Sequence, residues 1–354
     1  MQTGYGALMS LDMVRFARTN RVILIWVVFA ALLYLFRDLF GLVFITFIMC
    51  FLTHSITTPL ERAFKLNRRP LVVFVYLLFL GLVVGFLFFL APTLLREGRN
   101  FTEQLPRALH AVNTWVETNA ADSFWMPQVV DQIQEYLTPE QMILKGWDAS
   151  RKLMESGLQY ASWFFVGLVF SFLIMLDLPR TEASVKNLRN TRLAAFYTET
   201  ADSVVLFAKV VGENFRAQIL VSLIGTVLLG IGLYLLGLEN IALLCTLSFF
   251  CGLIPILGVL ISSVPIVLMA VNHGGVSLGL WALVIITAVS LIETYVLNPR
   301  IVSAVMNINP VMTIIILYIA YSIANLWGVL LGIPVSAYIY RQLVVPGKSA
   351  VEEN

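Results

Sequence analysis

The chain has 354 residues, 59% of them in the broad apolar set and 12% charged, with 23 lysines and arginines against 21 acids. A soluble domain carries about 45–50% apolar and about 25% charged residues, so a mean hydropathy of +0.87 excludes a cytosolic enzyme, a disordered scaffold and a disulfide-stapled secreted module. The nearly cancelling charges supply no field for nucleic acid, and the chain is expected to have no such partner.

Hydrocarbon offers no partner to a backbone amide, so a spanning helix needs about 20 apolar residues in one run. Runs of this kind lie near 22–36, 39–54, 71–91, 158–178, 217–237, 241–271, 278–297 and 311–340. The first begins at Val22 without a small-residue cleavage site, which predicts a retained helix, and a tight turn at Arg37-Asp38 leads into the second. The runs 241–271 and 311–340 exceed what a straight span requires and contain Pro255, Pro265 and Pro334. They are expected to be broken helices or re-entrant hairpins. The expected fold is an all-α polytopic membrane protein of about eight transmembrane helices, some broken or re-entrant, with a small helical external domain.

Basic residues orient the spans. Arg15, Arg18 and Arg21, then Arg62, Lys65, Arg68 and Arg69, then Arg180, Lys186, Arg189, Arg192, Lys209 and Arg216 fall on one side if the runs alternate. That side is expected to be cytoplasmic. The stretch 92–157 falls opposite, with six basic and nine acidic residues. There Phe101, Leu105, Leu109, Val112 and Val116 recur at helical spacing, and Thr138-Pro139-Glu140-Gln141 reads as a capped helix start. This surface serves either packing and oligomerisation or substrate capture. In 180–216, Phe196, Val204, Phe207, Val211 and Phe215 form a second stripe, suited to the membrane interface or to packing beneath the bundle. The organisation drawn from these features is 1–91 (three spans), 92–157 (external helical domain), 158–216 (fourth span and cytoplasmic amphipathic helix), 217–345 (transport core) and 346–354 (cytoplasmic tail).

Conventional catalytic motifs are nearly absent, and no enzyme activity or cofactor is expected. There is no phosphate-cradling GxxxxGK[ST] and no HExxH, and His54, His110 and His273 are far apart. Gly275-Val276-Ser277-Leu278-Gly279 fits GxSxG, but a nucleophile elbow needs a strand before its serine. A turn and helix start is expected instead. Cys50, Cys245 and Cys251 sit in apolar runs without metal or disulfide spacing and read as packing residues.

The last third of the chain gathers the polar intramembrane residues. Pro255, Gly258 and Pro265 would shape a broken helix. Ser262, Ser263 and Asn325 would offer hydrogen bonds to a solute, as transporters commonly bind cargo at such discontinuities. Glu293 is the acid deepest in a late apolar run, where a charge costs about 2.5–3.5 kcal/mol and needs protein or water around it. Either it pairs structurally with Arg300, near Asn298, or it is a proton- or cation-coupling carboxylate. Pro299, Pro310 and Pro334 are further candidate breaks. The spacings Gly81/Gly85 and Gly328/Gly332 suit close helix approach.

Residues Phe249-Phe250-Cys251-Gly252-Leu253-Ile254-Pro255-Ile256-Leu257-Gly258 through Pro265 resemble a segment of the AI-2E family of bacterial permeases. The resemblance continues through Glu293-Thr294-Tyr295-Val296-Leu297-Asn298-Pro299-Arg300-Ile301, Asn309-Pro310 and Trp327-Gly328-Val329-Leu330-Leu331-Gly332-Ile333-Pro334. It implies a multi-pass transporter of the bacterial inner membrane, homo-oligomeric with a pentamer as the candidate assembly. Family members are associated with export of the quorum signal autoinducer-2 or with sodium/proton exchange. This chain departs from the family at Tyr318-Ile319-Ala320-Tyr321-Ser322, where glycines are frequent. The leading expectation is a secondary transporter moving a small polar solute outward across the lipid bilayer. A passive channel-like oligomer, a sodium/proton antiporter and a non-transporting partner protein are the alternatives.

Overall fold

The structure, a computed structural model, describes residues 37–119, 161–255, 257–301 and 310–343, with isolated positions between 25 and 35. The first apolar run, the helix start at Thr138 and the C-terminal tail lie outside the described residues. Regular structure among the described residues is entirely helical. Large side chains such as Phe89, at 80% exposure, and Tyr318, at 76%, cover the outside, a surface suited to hydrocarbon and ruinous in water.

Four helices are long and apolar enough to cross a membrane: Phe40–Phe64, Arg68–Val112, Ala194–Leu235 and Leu257–Ile301. A fifth arises if Ala161–Leu176 and Leu178–Asn190, bent by 78°, form one span. Several sequence-drawn boundaries move. The second run continues through the expected loop, so α1 covers Phe40–Phe64 and ends at Lys65, whose φ is 51°. The third run, α2 (Arg68–Gly85), passes through a π turn at Phe86–Leu90 into α3 (Ala91–Asn119) without a break. Past the bent pair α4 (Ala161–Leu176) and α5 (Leu178–Asn187), the expected amphipathic helix and fifth span merge into one 42-residue helix, α6 (Ala194–Leu235).

The chain divides into two compact units. In the first (Met1–Phe74 and Tyr160–Lys209), α1 packs on α4 where a small residue admits it. A methyl added at Gly167 would lie 3.0 Å from Ile45 Cγ2, and the Cys50 thiol donates to the Ser171 carbonyl at 3.8 Å. At the bend after α4, Asp177 pairs with Arg180 at 3.7 Å and Arg69 at 4.0 Å, an exposed and therefore weak set.

The second unit (Val75–Gln159 and Val210–Asn354) holds the polar intramembrane residues. α6 ends in a Schellman turn: Gly237 has φ 70°, its N–H donates to Tyr234, and Leu238 N–H donates to Leu233. Next come α7 (Ile241–Gly252) and α8 (Leu257–Ile292). α8 is interrupted at Gly274 (φ −140°, ψ 22°) and Gly275 (φ 72°, ψ −173°). A methyl at Gly279 would touch Val271 and lie 3.7 Å from the Val267 carbonyl, so the two arms fold back as a hairpin. A π turn (Glu293–Leu297) and the short α9 (Asn298–Ile301) follow.

The last helix, α10 (Pro310–Leu343), also folds back. Asn325 sits at φ 49° between apolar arms Val311–Ile323 and Trp327–Tyr340. A methyl at Gly328 would strike the Ala320 carbonyl, and one at Gly332 would lie 2.9 Å from Ala320 Cβ and 3.5 Å from Ile316 Cγ2. Residues 320 and 316 thus face 328 and 332 in antiparallel order. Arms of this length reach about 20 Å, short of the ~30 Å hydrocarbon core. This is the re-entrant alternative, with Gly328 and Gly332 serving close approach as expected. Gly81 and Gly85 face open space.

The core of this unit joins Leu229 and Leu233 of α6, Leu244 of α7, and Ile266, Met269, Ala270, Ala282 and Ile286 of the α8 hairpin. Phe101 of α3 packs on it, so the apolar stripe of α3 serves packing.

Candidate functional site

The break between α7 and α8 organises the site. Pro255 has no N–H to continue the helix, leaving carbonyls at the end of α7 to be satisfied from elsewhere. Two α6 side chains meet this need. Gln218 Nε2 donates to the Gly252 carbonyl at 2.6 Å, and Ser222 Oγ donates to the Phe249 carbonyl at 2.7 Å. At the opposite end of α7, Glu97 of α3 accepts the Leu243 N–H at 2.5 Å, a carboxylate set against the positive end of a helix. Asn272, just before the α8 turn, donates to Gln104 Oε1 of α3 at 3.0 Å.

Two clefts flank the break. The first, of about 280 Å³, is bordered by Gly225 of α6, Ser248 of α7, Ser262 and Ser290 of the α8 hairpin, and Glu293. Glu293 is half-buried and opens the π turn. Gly225 makes room for it: an added methyl would lie 2.7 Å from the carboxyl carbon. Ser290 Oγ donates to the Ile286 carbonyl at 2.8 Å and Ser262 Oγ to Val259 at 3.4 Å. With their protons turned to backbone, both hydroxyls keep lone pairs available to the cleft. The second cleft, of about 290 Å³, lies among Asn214 and Gln218 of α6, Leu253 and Pro255 at the break, and Ile333 and Pro334 of the α10 hairpin.

The other expected site residues are dispersed. Ser263 donates to its own helix at Leu260, 2.8 Å away, and does not border either cleft. Asn325 is exposed at the α10 turn. Asn298 and Arg300 lie beyond the π turn, Arg300 exposed, and among the described residues Glu293 and Arg300 form no ion pair. Seven residues of α-helix would stack the two on one face; the wider π turn shifts that register. Among the expected breaks, Pro255 coincides with one, and Gly258 packs against the Cys251 carbonyl beside it. Pro265 and Pro334 stay within helical arms, and the actual reversals fall at Gly274-Gly275 and Asn325. Pro299 lies in α9 and Pro310 begins α10.

Sequence reasoning missed Gln218, Ser222, Glu97 and Asn214. Asn214, Gln218, Ser222 and Gly225 recur at helical spacing on α6, so a polar stripe inside an apolar run was the available signal. Ser277 follows a turn and sits in helix without a preceding strand, as the sequence led one to expect of GxSxG. The cysteines are free.

Comparison with known proteins agrees with this architecture. The family model described as AI-2E family transporter matches residues 23–344. The chain is 25% identical to YdbI of Bacillus subtilis, a protein provisionally named for transport, over 92% of this chain and 91% of that one. It is 25% identical to a sodium-lithium/proton antiporter of Halobacillus andaensis, over 77% and 80%, and 26% identical to another provisionally named transport protein, from Alkalihalophilus pseudofirmus, over 87% and 83%. With nearly its whole length matched, the chain belongs to the AI-2E transporter family.

Proposed function

We propose that this protein is a secondary transporter carrying a small polar solute outward across the bacterial inner membrane, with Glu293 as the group that couples transport to protons or an alkali cation. The observation carrying this reading is the cleft that Glu293 shares with Ser248, Ser262 and Ser290 beside a broken helix. A carboxyl group in an apolar segment is tolerated only next to protein dipoles or water, and this one has space kept for it at Gly225. Without an α-helical partner in Arg300, its charge is free to be exchanged for a proton.

Sodium/proton exchange is the second reading, favoured by the all-oxygen polar lining. Carboxylate and hydroxyl oxygens suit hard cations, and one relative bears the name of such an antiporter. Both readings place the exchangeable charge at Glu293, and the resemblance to the family supports a homo-oligomeric assembly.

The test is gradient-driven flux in proteoliposomes. Glu293→Gln is expected to abolish the response to pH and sodium gradients while eluting and unfolding like the parent protein. Unchanged flux in that variant rejects the role of Glu293. Single-channel currents from the parent protein would reject the carrier in favour of a pore.

A further inference from the structure

The second cleft differs from the first in lacking any charged side chain, and its two amides have defined orientations. Asn214 Nδ2 donates to the Val210 carbonyl at 3.1 Å and Gln218 Nε2 to the Gly252 carbonyl at 2.6 Å. A carbonyl can only accept, so in both residues the nitrogen faces the backbone. Each amide oxygen is left without a printed partner among the described residues and keeps two lone pairs, and each nitrogen keeps one further hydrogen. Among the described residues no amide bonds the Leu253 carbonyl, since Leu257 N–H turns to Pro255 and Gly258 N–H to Ile254. The remaining wall is apolar, with Pro255, Ile333 and Pro334 contributing C–H surface.

We infer that this cleft binds the transported solute, and that the solute is a small uncharged polyhydroxylated molecule. The inference rests on the transport reading above and deepens it. A hydroxyl both donates and accepts, matching amide oxygens and residual N–H groups set side by side. A bare cation would meet no counter-charge here, and an anion no cationic donor, so desolvation of either is uncompensated. Proline and aliphatic walls take the C–H face of a polyol. The cargo site and the Glu293 cleft then stand on opposite sides of the α7–α8 break, spaced along one face of α6. From Gln218 to Gly225 the helix rises about 10 Å. Motion of that break can thus link charge exchange to cargo movement.

The test uses the full chain in lipid nanodiscs, with erythritol and ribitol at millimolar concentration as probes and thermal unfolding as the readout. Ile333→Trp fills the cleft without touching the Gly252 cap, and Asn214→Leu removes one amide. The parent protein is expected to gain polyol-dependent stability, with apparent affinity at least tenfold weaker in both variants and unchanged in Glu293→Gln. General osmolyte stabilisation is common to all variants and drops out of the comparison. Equal polyol responses in the parent, Asn214→Leu and Ile333→Trp overturn the inference. So does a cleft-dependent shift with sodium chloride but none with polyol, which identifies a cation site. In either event, gradient-driven flux that depends on Glu293 leaves the transport reading standing.

Discussion

Gly225 offers the sharpest test of how the Glu293 carboxyl is held. Replacing it with alanine adds one methyl, 2.7 Å from Glu293 Cδ and 3.3 Å from Cγ. Carbon atoms rest at about 3.5–4.0 Å, so the overlap with Cδ is close to 1 Å. Gly225 lies inside α6 without a positive φ, where alanine gains about 1 kcal/mol in helix propensity. Overpacking a tight site costs about 1–3 kcal/mol. Stability should therefore change by no more than about 2 kcal/mol, a shift of a few degrees, while the carboxyl rotates out of its place. A loss of about 1.4 kcal/mol of coupling is tenfold in rate, and at least that fall is expected in gradient-driven flux, measured with a pH-sensitive dye in proteoliposomes. Glu293→Asp shortens the side chain by one methylene, so Gly225→Ala combined with Glu293→Asp should recover part of the flux lost by Gly225→Ala. Parental flux and parental unfolding in Gly225→Ala would refute the reasoning.

Three further outcomes are expected. With the native cysteines replaced, Ala320→Cys and Gly332→Cys should cross-link, because the folded hairpin brings their β-carbons together; a straight helix would hold them about 18 Å apart, beyond disulfide reach. Gln218→Leu strands the Gly252 carbonyl and Ser222→Ala the Phe249 carbonyl; each should lower stability by about 1–3 kcal/mol in denaturant unfolding, and the pair should be non-additive. Glu97→Gln keeps an acceptor at the Leu243 N–H but removes its charge, for a loss of about 0.3–1 kcal/mol; Glu97→Ala should cost more by the same measurement, since the N–H is left unbonded.

The class of fold was open to view in composition, because only a membrane absorbs so much apolar side chain. Two re-entrant or broken segments were legible from their excess length, yet proline marked only one break correctly. The reason is geometric. Proline removes one hydrogen bond and tilts a helix, as at Pro265 and Pro334, whereas reversing the chain needs a residue at positive φ. Gly275 and Asn325 supply it, and both residue types were visible in the sequence. Within the site, Ser262 and Glu293 were found by polarity in apolar surroundings and share one cleft. Asn298 and Arg300 were grouped with Glu293 by α-helical counting, which a π turn defeats. Gln218 and Ser222 went unrecognised because their partners are backbone carbonyls about 30 positions away, and no local pattern announces a carbonyl in need of a donor.

The widened turn at Glu293–Leu297 has a consequence for how such a carrier changes over evolutionary time. A π turn is one surplus residue lodged in an α-helix, and excising a single codon would tighten it. All that follows would swing round by about a quarter of a revolution, Asn298 and Arg300 included, and the acid would regain a basic neighbour on its own face. Such an ion pair would fix the charge that exchange requires to be labile. Insertion and loss of one residue, with no change of chemistry, is therefore enough to move this helix between a locked and a titrating state.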